Sequence, residues 1–396
     1  MSFGGSSCGG PAESILDERQ SFEFPYIDDV EKYENLVKIG QGTFGEVIKA
    51  KCRKTGKLVA IKKIFLENEK EGFPITALRE IMFLKRLNHE NIAKLIEICN
   101  NKNSTQTSSA LSSSVKPQPY NGALQNQCFL VFSFYDHDLA GIISNRRIVF
   151  SFGEIKTIVN QILNALFYIH SQNILHRDIK SANIFLSKSS GKIKIGDFGL
   201  ARSYTAPKRH GAEYQNRYTN RVVTLWYRAP ELLLGDRNYS TAIDIWGVGC
   251  VMAELWTRSP IMQGRNEQNQ LMLITNLCGS IVPAVWPKIV DLPLYTKLNL
   301  PKHKKRNVRE RLKPLVKDQY AIDLLDQLLL LDPSMRIDAD TALNHDLFFV
   351  DPMPCTLDSL LSQCRTSMFE YLSNNQTSNA PNHSDVNKGA VYDHIF

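Results

Sequence analysis

None of the eight cysteines in this 396-residue chain stands in a Cys-x-x-Cys pair or at a regular spacing, so neither a zinc site nor a disulfide framework is expected. A reduced intracellular compartment fits that usage. No uncharged apolar run reaches the roughly 18 residues that a membrane-spanning helix needs. The Gly/Ser-rich first residues lack the basic start and apolar centre of a secretory signal. No internal repeat is visible. A soluble chain, neither secreted nor membrane-spanning, is therefore expected, and its 43% hydrophobic residues suffice for a large core divided between two lobes, with tails. The net charge of +7 is modestly basic, which fits either attraction to acidic or phosphorylated partners or a solvated surface. Lys302, His303, Lys304, Lys305 and Arg306, followed by Arg309 and Arg311, read equally as a nuclear-localisation patch or a charged loop.

What is present falls into a clear order. Residues 1–32, Ser/Gly-rich and then acidic, read as a flexible leader. From 36 to 64, short β-branched and apolar runs are broken by Gly40, Gly42, Gly45 and Gly56, the pattern of a small antiparallel sheet. Residues 75–87 place Ile75, Leu78, Ile81, Met82 and Leu84 at helical intervals. A polar insertion at 100–127 separates strand-like runs at 93–98 and 128–134, closing a first lobe of 33–134 and reading as disordered. The second lobe, 138–349, is mostly helical, with apolar spacing over 152–171, 243–257, 267–277 and 321–331. Residues 350–396 form a C-terminal extension expected to be mostly disordered after 372. The fold class is α+β, a small antiparallel β lobe with one helix beside a larger, mainly α lobe.

Four segments carry chemistry: the run Ile39, Gly40, Gln41, Gly42, Thr43, Phe44, Gly45, Glu46, Val47; the strand ending Ala60, Ile61, Lys62; His176, Arg177, Asp178 with Asn183; and Asp197, Phe198, Gly199. Each is ambiguous alone. In this order they match the phosphoryl-transfer template of protein kinases, and a 33–349 kinase domain follows. The glycines let backbone N–H groups approach phosphates, with Phe44 capping the loop tip. Lys62 can hold the α- and β-phosphates of ATP, with Glu80 as its counter-charge. That pair requires the 75–87 helix to swing inward, so helix position can gate activity. Asp178 is placed to accept a hydrogen bond from a substrate hydroxyl and take its proton late, with Lys180 offsetting charge on the moving group. Asn183 and Asp197 offer the hard oxygens that Mg²⁺ prefers. His176 reads as a packing residue, Glu231 as the partner of Arg336, and Asp244 as an anchor for the catalytic-loop backbone.

The run 74–80, Pro-Ile-Thr-Ala-Leu-Arg-Glu, resembles the cyclin-contacting helix of cyclin-dependent protein kinases of the CMGC group, in the wording of members that act in transcription elongation. Matches at 67–72, 216–228 and 256–264 extend the resemblance over 24–372. It implies the bilobal protein-kinase fold, ATP and Mg²⁺ as cofactors, a T-type cyclin as partner, and a nuclear location. Substrates would be Ser-Pro or Thr-Pro sites in RNA polymerase II C-terminal repeats and elongation regulators, with no sequence-specific nucleic-acid binding and no membrane. It further implies an adenine site from Phe132, Ser133, Phe134, Tyr135, Asp138 and Phe185, an activating phosphosite at Thr219, and a substrate-proline pocket at Val223. A phosphate there, with a charge of about −1.5 to −2, would be clamped by Arg79, Arg177 and Arg202. Ser133, Tyr135, Phe185 and Gly196 depart from the relatives' pattern. Two alternatives stand beside this reading: a cell-cycle-type kinase, disfavoured because those members carry tyrosine where this chain has Phe44, and a catalytically silent cyclin-binding scaffold, disfavoured by the complete residue set.

Overall fold

The computed structural model describes residues 27–42, 45–64, 74–101, 128–204, 218–219, 222–370 and 372. The expected insertion, apart from Asn100 and Asn101, and the tail beyond 372 lie outside the described residues. β1 (Ile27–Asp29), β2 (Tyr33–Gly42), β3 (Gly45–Cys52), β4 (Leu58–Ile64), β5 (Leu95–Asn100) and β6 (Cys128–Ser133) build one sheet in the order β1-β5-β6-β4-β3-β2. Its neighbours pair antiparallel except β1, which adds parallel to β5. β1 and the 3-10 turn Val30–Lys32 fall inside the stretch read as leader from sequence. Edge pairing and the reach of Lys32 to Asp28 and Glu97, both at 2.7 Å, hold them. Gly45 opens β3 so close to β4 that a Cβ would stand 2.0 Å from the Lys63 carbonyl oxygen, a contact only glycine avoids.

α1 (Ile75–Arg86) is amphipathic with the apolar period of a helix. Ala77, Phe83 and Leu84 turn inward with Glu80. Ile75, Leu78 and Met82 point to solvent, 57%, 45% and 63% exposed.

The second lobe contains β7 (His137–Asp138), α2 (Leu139–Ser144), α3 (Phe152–Ser171), β8 (Ile174–Leu175), β9 (Ile184–Ser187), β10 (Lys192–Ile195), β11 (Arg202–Ser203), α4 (Pro230–Leu233), α5 (Ala242–Thr257), α6 (Glu267–Cys278), α7 (Val308–Leu312), α8 (Gln319–Leu328), α9 (Ala339–Leu343) and α10 (Asp358–Gln363). α3 starts at a capping box in which Ser151 and Glu154 satisfy each other's backbone N–H groups. α5 is buried around its whole circumference except at Trp256, with Asp244 and Glu254 set among apolar residues, and runs through the main core. α8 begins two residues before the apolar period suggests, because Asp318 caps it by accepting from the Ala321 N–H at 2.8 Å. Leu357, Leu360, Leu361 and Cys364 of the C-terminal extension join the same core. In the basic run, Arg306 turns inward onto Asp326 and the Leu329 carbonyl while Lys302, Lys304 and Lys305 remain exposed. Among the described residues no helix is long and apolar enough to cross a membrane.

Candidate active site

A cleft of about 490 Å³ opens between the lobes. Its roof comes from β2 to β4: Ile39, Gly40, Gln41, Gly45, Val47 and Ala60 line it. Thr43 and Phe44 lie outside the described residues, and Gly42 pairs with Gly45. Glu46, expected at the nucleotide, does not face the cleft. Side chains alternate along a strand, so with Val47 inward Glu46 points out, where its carboxylate meets Lys38 at 3.1 Å. Phe134 is also not on the cleft wall; its ring packs on Phe369 at 6.3 Å, under the Lys49 ammonium. Phe132, Ser133, Tyr135, Asp138 and Phe185 do line it. The Tyr135 and Phe185 rings lie nearly parallel, 5.9 Å apart, and the Tyr135 hydroxyl accepts the Lys94 N–H at 3.1 Å. Gly196 lies against that floor: a Cβ there would meet Phe185 Cε2 at 2.4 Å, so the two departures Phe185 and Gly196 are one packing solution.

At the phosphate end Lys62 donates to Glu80 Oε2 and Asp197 Oδ1, each at 2.8 Å. α1 is thus already swung inward, with Phe198 fully buried and edge-on to His176. Burial opposes the Lys62 charge, but Asp197 and Glu80 outweigh it and raise the ammonium above its ordinary range. The same ammonium holds the Asp197 carboxyl down at about 2. Asp197 reaches its position through a left-handed backbone, φ 60°.

Asp178 is the hub of the second cluster. One carboxylate oxygen accepts Asn183 Nδ2 at 3.0 Å and Lys180 Nζ at 2.9 Å; the other accepts the Thr224 N–H and hydroxyl at 3.1 and 3.0 Å. Below it, buried Asp244 accepts the backbone N–H groups of His176 and Arg177 at 2.9 and 2.8 Å and His170 Nε2 at 2.9 Å. Burial would raise this carboxyl, yet His170 and those donors leave it below the usual range. His176 is buried, receiving the Asp178 N–H on Nδ1 and bonding the Gly196 carbonyl through Nε2. The Glu231 carboxylate and Arg336 guanidinium form a buried two-pronged pair at 2.8 and 3.1 Å.

Because Asn183 gives its amide N–H₂ to Asp178, its amide oxygen is left for another partner. Together with the Asp197 carboxylate on the cleft wall it makes a hard-oxygen set that suits Mg²⁺ completed by phosphate and water oxygens. The Asn183 carbonyl also accepts the Gly196 N–H at 3.0 Å, so the two ligand-bearing loops are joined next to Asp197.

Arg79, Arg177 and Arg202 converge. Burial together with the Arg202 and Arg177 charges lowers the affinity of Arg79 for its proton. Thr219 lies exposed beside them, its carbonyl accepting the Tyr239 hydroxyl at 2.7 Å, which in turn accepts from Arg177 at 2.8 Å. Val223 is left-handed, φ 68°, and its carbonyl is taken by the Arg228 guanidinium at 3.0 and 3.3 Å.

Two contributors escaped the sequence reading. Thr224 sits inside a run quoted only for its resemblance, and a lone threonine carries no local signal of a carboxylate partner. The other is the segment 368–370: Phe369 and Glu370 line the cleft, the Glu370 N–H binds the Asp138 carboxylate at 2.9 Å, and Asp138 N–H donates to the Met368 carbonyl at 3.0 Å. Burial pushes the Asp138 carboxyl up to about 7 against the N–H donors of Gly141 and Glu370. Contacts spanning more than two hundred residues leave no periodic trace in a sequence.

Residues 33–348 match the protein kinase domain. The chain is 58% identical over 352 residues to cyclin-dependent kinase 9 of Xenopus tropicalis, covering 89% of this chain and 90% of that one. It is 56% identical over 358 residues to cyclin-dependent kinase 9 of Homo sapiens, covering 90% and 91%. Among solved structures, a chain of the yeast RNA Pol II CTD kinase CTDK-1 complex superposes with a TM-score of 0.66 at 34% identity, covering 82% of this chain and 96% of that one.

Proposed function

The chain belongs to the protein kinase family, and on that premise we propose a cyclin-activated, proline-directed serine/threonine kinase that phosphorylates the C-terminal repeats of RNA polymerase II and elongation regulators in the nucleus. One observation carries the reading: Lys62 and Glu80 of the first lobe and Asp178, Asn183 and Asp197 of the second line the same cleft, with Lys62 bonded across it to Asp197 and Asp178 held by Asn183 and Thr224.

Ala60, Phe185, Phe132, Ser133 and Tyr135, which line one end of the cleft, would receive the adenine of ATP. Lys62 holds the α- and β-phosphates, and Glu80 and Asp197 keep it charged and aimed. Asn183 and Asp197 would hold Mg²⁺, which would supply charge neutralisation on the phosphates. Asp178 orients the incoming hydroxyl and takes its proton, while Lys180, 2.9 Å from Asp178, offsets negative charge on the transferring group. Thr224 locks one Asp178 oxygen, leaving the carboxylate a single orientation. Placement in line and electrostatic stabilisation together account for most of the rate in such a site.

Proline after the phospho-acceptor is favoured because the left-handed Val223 gives its carbonyl to Arg228, leaving a substrate N–H with no acceptor there; proline has no N–H to lose. Phosphate on Thr219 would neutralise the Arg79, Arg177 and Arg202 cluster and tie α1, the catalytic loop and the activation segment together. The solvent-facing Ile75, Leu78 and Met82 of α1 form an apolar strip suited to a cyclin, and the cyclin-dependent kinase 9 relatives make a T-type cyclin the partner of choice.

The test is turnover of the Thr219-phosphorylated chain with a T-type cyclin, ATP and Mg²⁺ on polymerase repeat peptides. Ser-Pro peptides should exceed Ser-Ala ones by about 100-fold in kcat/KM. Equal rates would contradict proline direction. Silence on every peptide would contradict catalysis and leave the cyclin-binding scaffold.

A further inference from the structure

Beneath the catalytic loop three buried polar side chains meet away from the cleft. Ser181 of the catalytic loop, Tyr227 of the turn that follows Thr224, and Glu254 of α5 are each at most 5% exposed. The Ser181 hydroxyl lies 3.1 Å from Glu254 Oε1, the Tyr227 hydroxyl 2.8 Å from Glu254 Oε2, and the two hydroxyls lie 3.1 Å from each other. Three contacts close a ring.

An ionised carboxylate has no hydrogen, so Ser181 and Tyr227 together supply two hydrogens for three contacts, and one edge of the ring must stay empty. A neutral carboxyl supplies the third. It donates to the Ser181 oxygen, Ser181 donates to the Tyr227 oxygen, and Tyr227 donates to the other Glu254 oxygen, so every contact is filled in one circular sense. We propose that Ser181, Tyr227 and Glu254 form a proton-carrying positioning triad that couples the catalytic loop to the substrate-proline shelf. Each member has a place in that coupling. Ser181 stands between Lys180 and Asn183, which both bind Asp178. Tyr227 follows Thr224, whose carbonyl receives the Tyr227 N–H at 2.9 Å and whose own donors hold Asp178. Glu254 anchors both to α5, in which only Trp256 is not buried.

The electrostatic surroundings agree with the proton count. Burial pushes the Glu254 carboxyl up to about 7, against the lowering effect of its contacts with Tyr227 and Ser181, with Glu370 adding to the push. The titratable groups that act on it are Tyr227, Cys250 on its own helix and, through space only, Glu370 of the C-terminal segment. Burial raises Tyr227 and Cys250 well above their ordinary ranges, so neither supplies a charge near neutrality. A raised carboxyl is neutral below its folded value and loses the proton as pH rises through it. The ring therefore opens toward alkaline pH and the catalytic loop loses one tie to the shelf.

The test uses the phosphorylated complex with its cyclin. For wild type, Glu254→Gln and Ser181→Ala, kcat and the peptide KM are measured at about pH 6 and about pH 8. Glutamine keeps a donor and an acceptor at every pH, so Glu254→Gln should lose the fall in kcat between the two, whereas wild type falls about three-fold or more. Ser181→Ala removes one edge and should lower kcat with ATP KM unchanged while shifting the inflection. Infrared difference spectra of wild type against Glu254→Gln should contain a protonated-carboxyl stretch near pH 6. Identical pH ratios in wild type and Ser181→Ala, or an ionised carboxylate band near pH 6, would overturn the proposal. Should Glu254→Gln fail to fold, Ser181→Ala alone decides it by the pH ratio.

Discussion

Gly196 is the residue at which a single methyl group decides the shape of the adenine floor. Its Cβ would overlap the Phe185 ring at 2.4 Å, and Phe185 stacks on Tyr135, so the ring cannot slide freely. Gly196→Ala is expected to cost about 1–3 kcal/mol by overpacking. In the double change Phe185→Leu with Gly196→Ala much of that loss should return. Thermal unfolding of the two single variants and the pair checks it, and strictly additive losses would contradict the coupling. The positions of Lys62, Glu80, Asp178, Asn183 and Asp197 were legible because each belongs to a short motif whose spacing is set by a strand, a helix or a tight loop. Glu46 was misread for a reason equally local: inside a glycine-rich run the two-residue alternation of a strand still applies, and it sends that carboxylate to Lys38. Thr224 could not be read at all, since its partner Asp178 lies 46 residues away.

Among the elements, α1 is the one through which the proposed partner would reach the chemistry. One face carries Glu80 to Lys62; the other presents Ile75, Leu78 and Met82 to solvent. Leu78→Asp should leave the isolated chain's stability within about 0.5 kcal/mol, because the side chain is exposed. It should weaken cyclin binding at least about ten-fold, since a charge would replace apolar contact area. Isothermal titration with the cyclin measures the second and thermal melting the first. Undiminished affinity would remove this face from the proposed interface. Helices such as α3 and α5 were readable from apolar spacing, and α8 only in its centre, because its start is set by the Asp318 cap rather than by periodicity. β1 was not readable: three residues with two acids have no strand signature, and the pairing partner β5 lies some seventy residues further on.

Across the whole molecule, two lobes and a returning chain end meet at one cleft. The upper lobe contributes Lys62 and Glu80, the lower lobe Asp178, Asn183 and Asp197, and the extension contributes Phe369 and Glu370. The bilobal architecture was legible from the change of hydrophobic period along the chain, from strand-like to helical near Asp138. The return of residues 368–370 to Asp138 was not, because nothing in a local window encodes where a chain end docks. The central claim is that Asp178 is the group that aims and deprotonates the substrate hydroxyl, and one measurement addresses it directly: kcat of Asp178→Asn in the phosphorylated cyclin complex on a Ser-Pro repeat peptide. Asparagine keeps the size and can still accept from Thr224, so the fold should persist with an unchanged melting temperature while kcat falls by at least about 100-fold. A variant that melts like wild type and turns over at a similar rate would contradict the account.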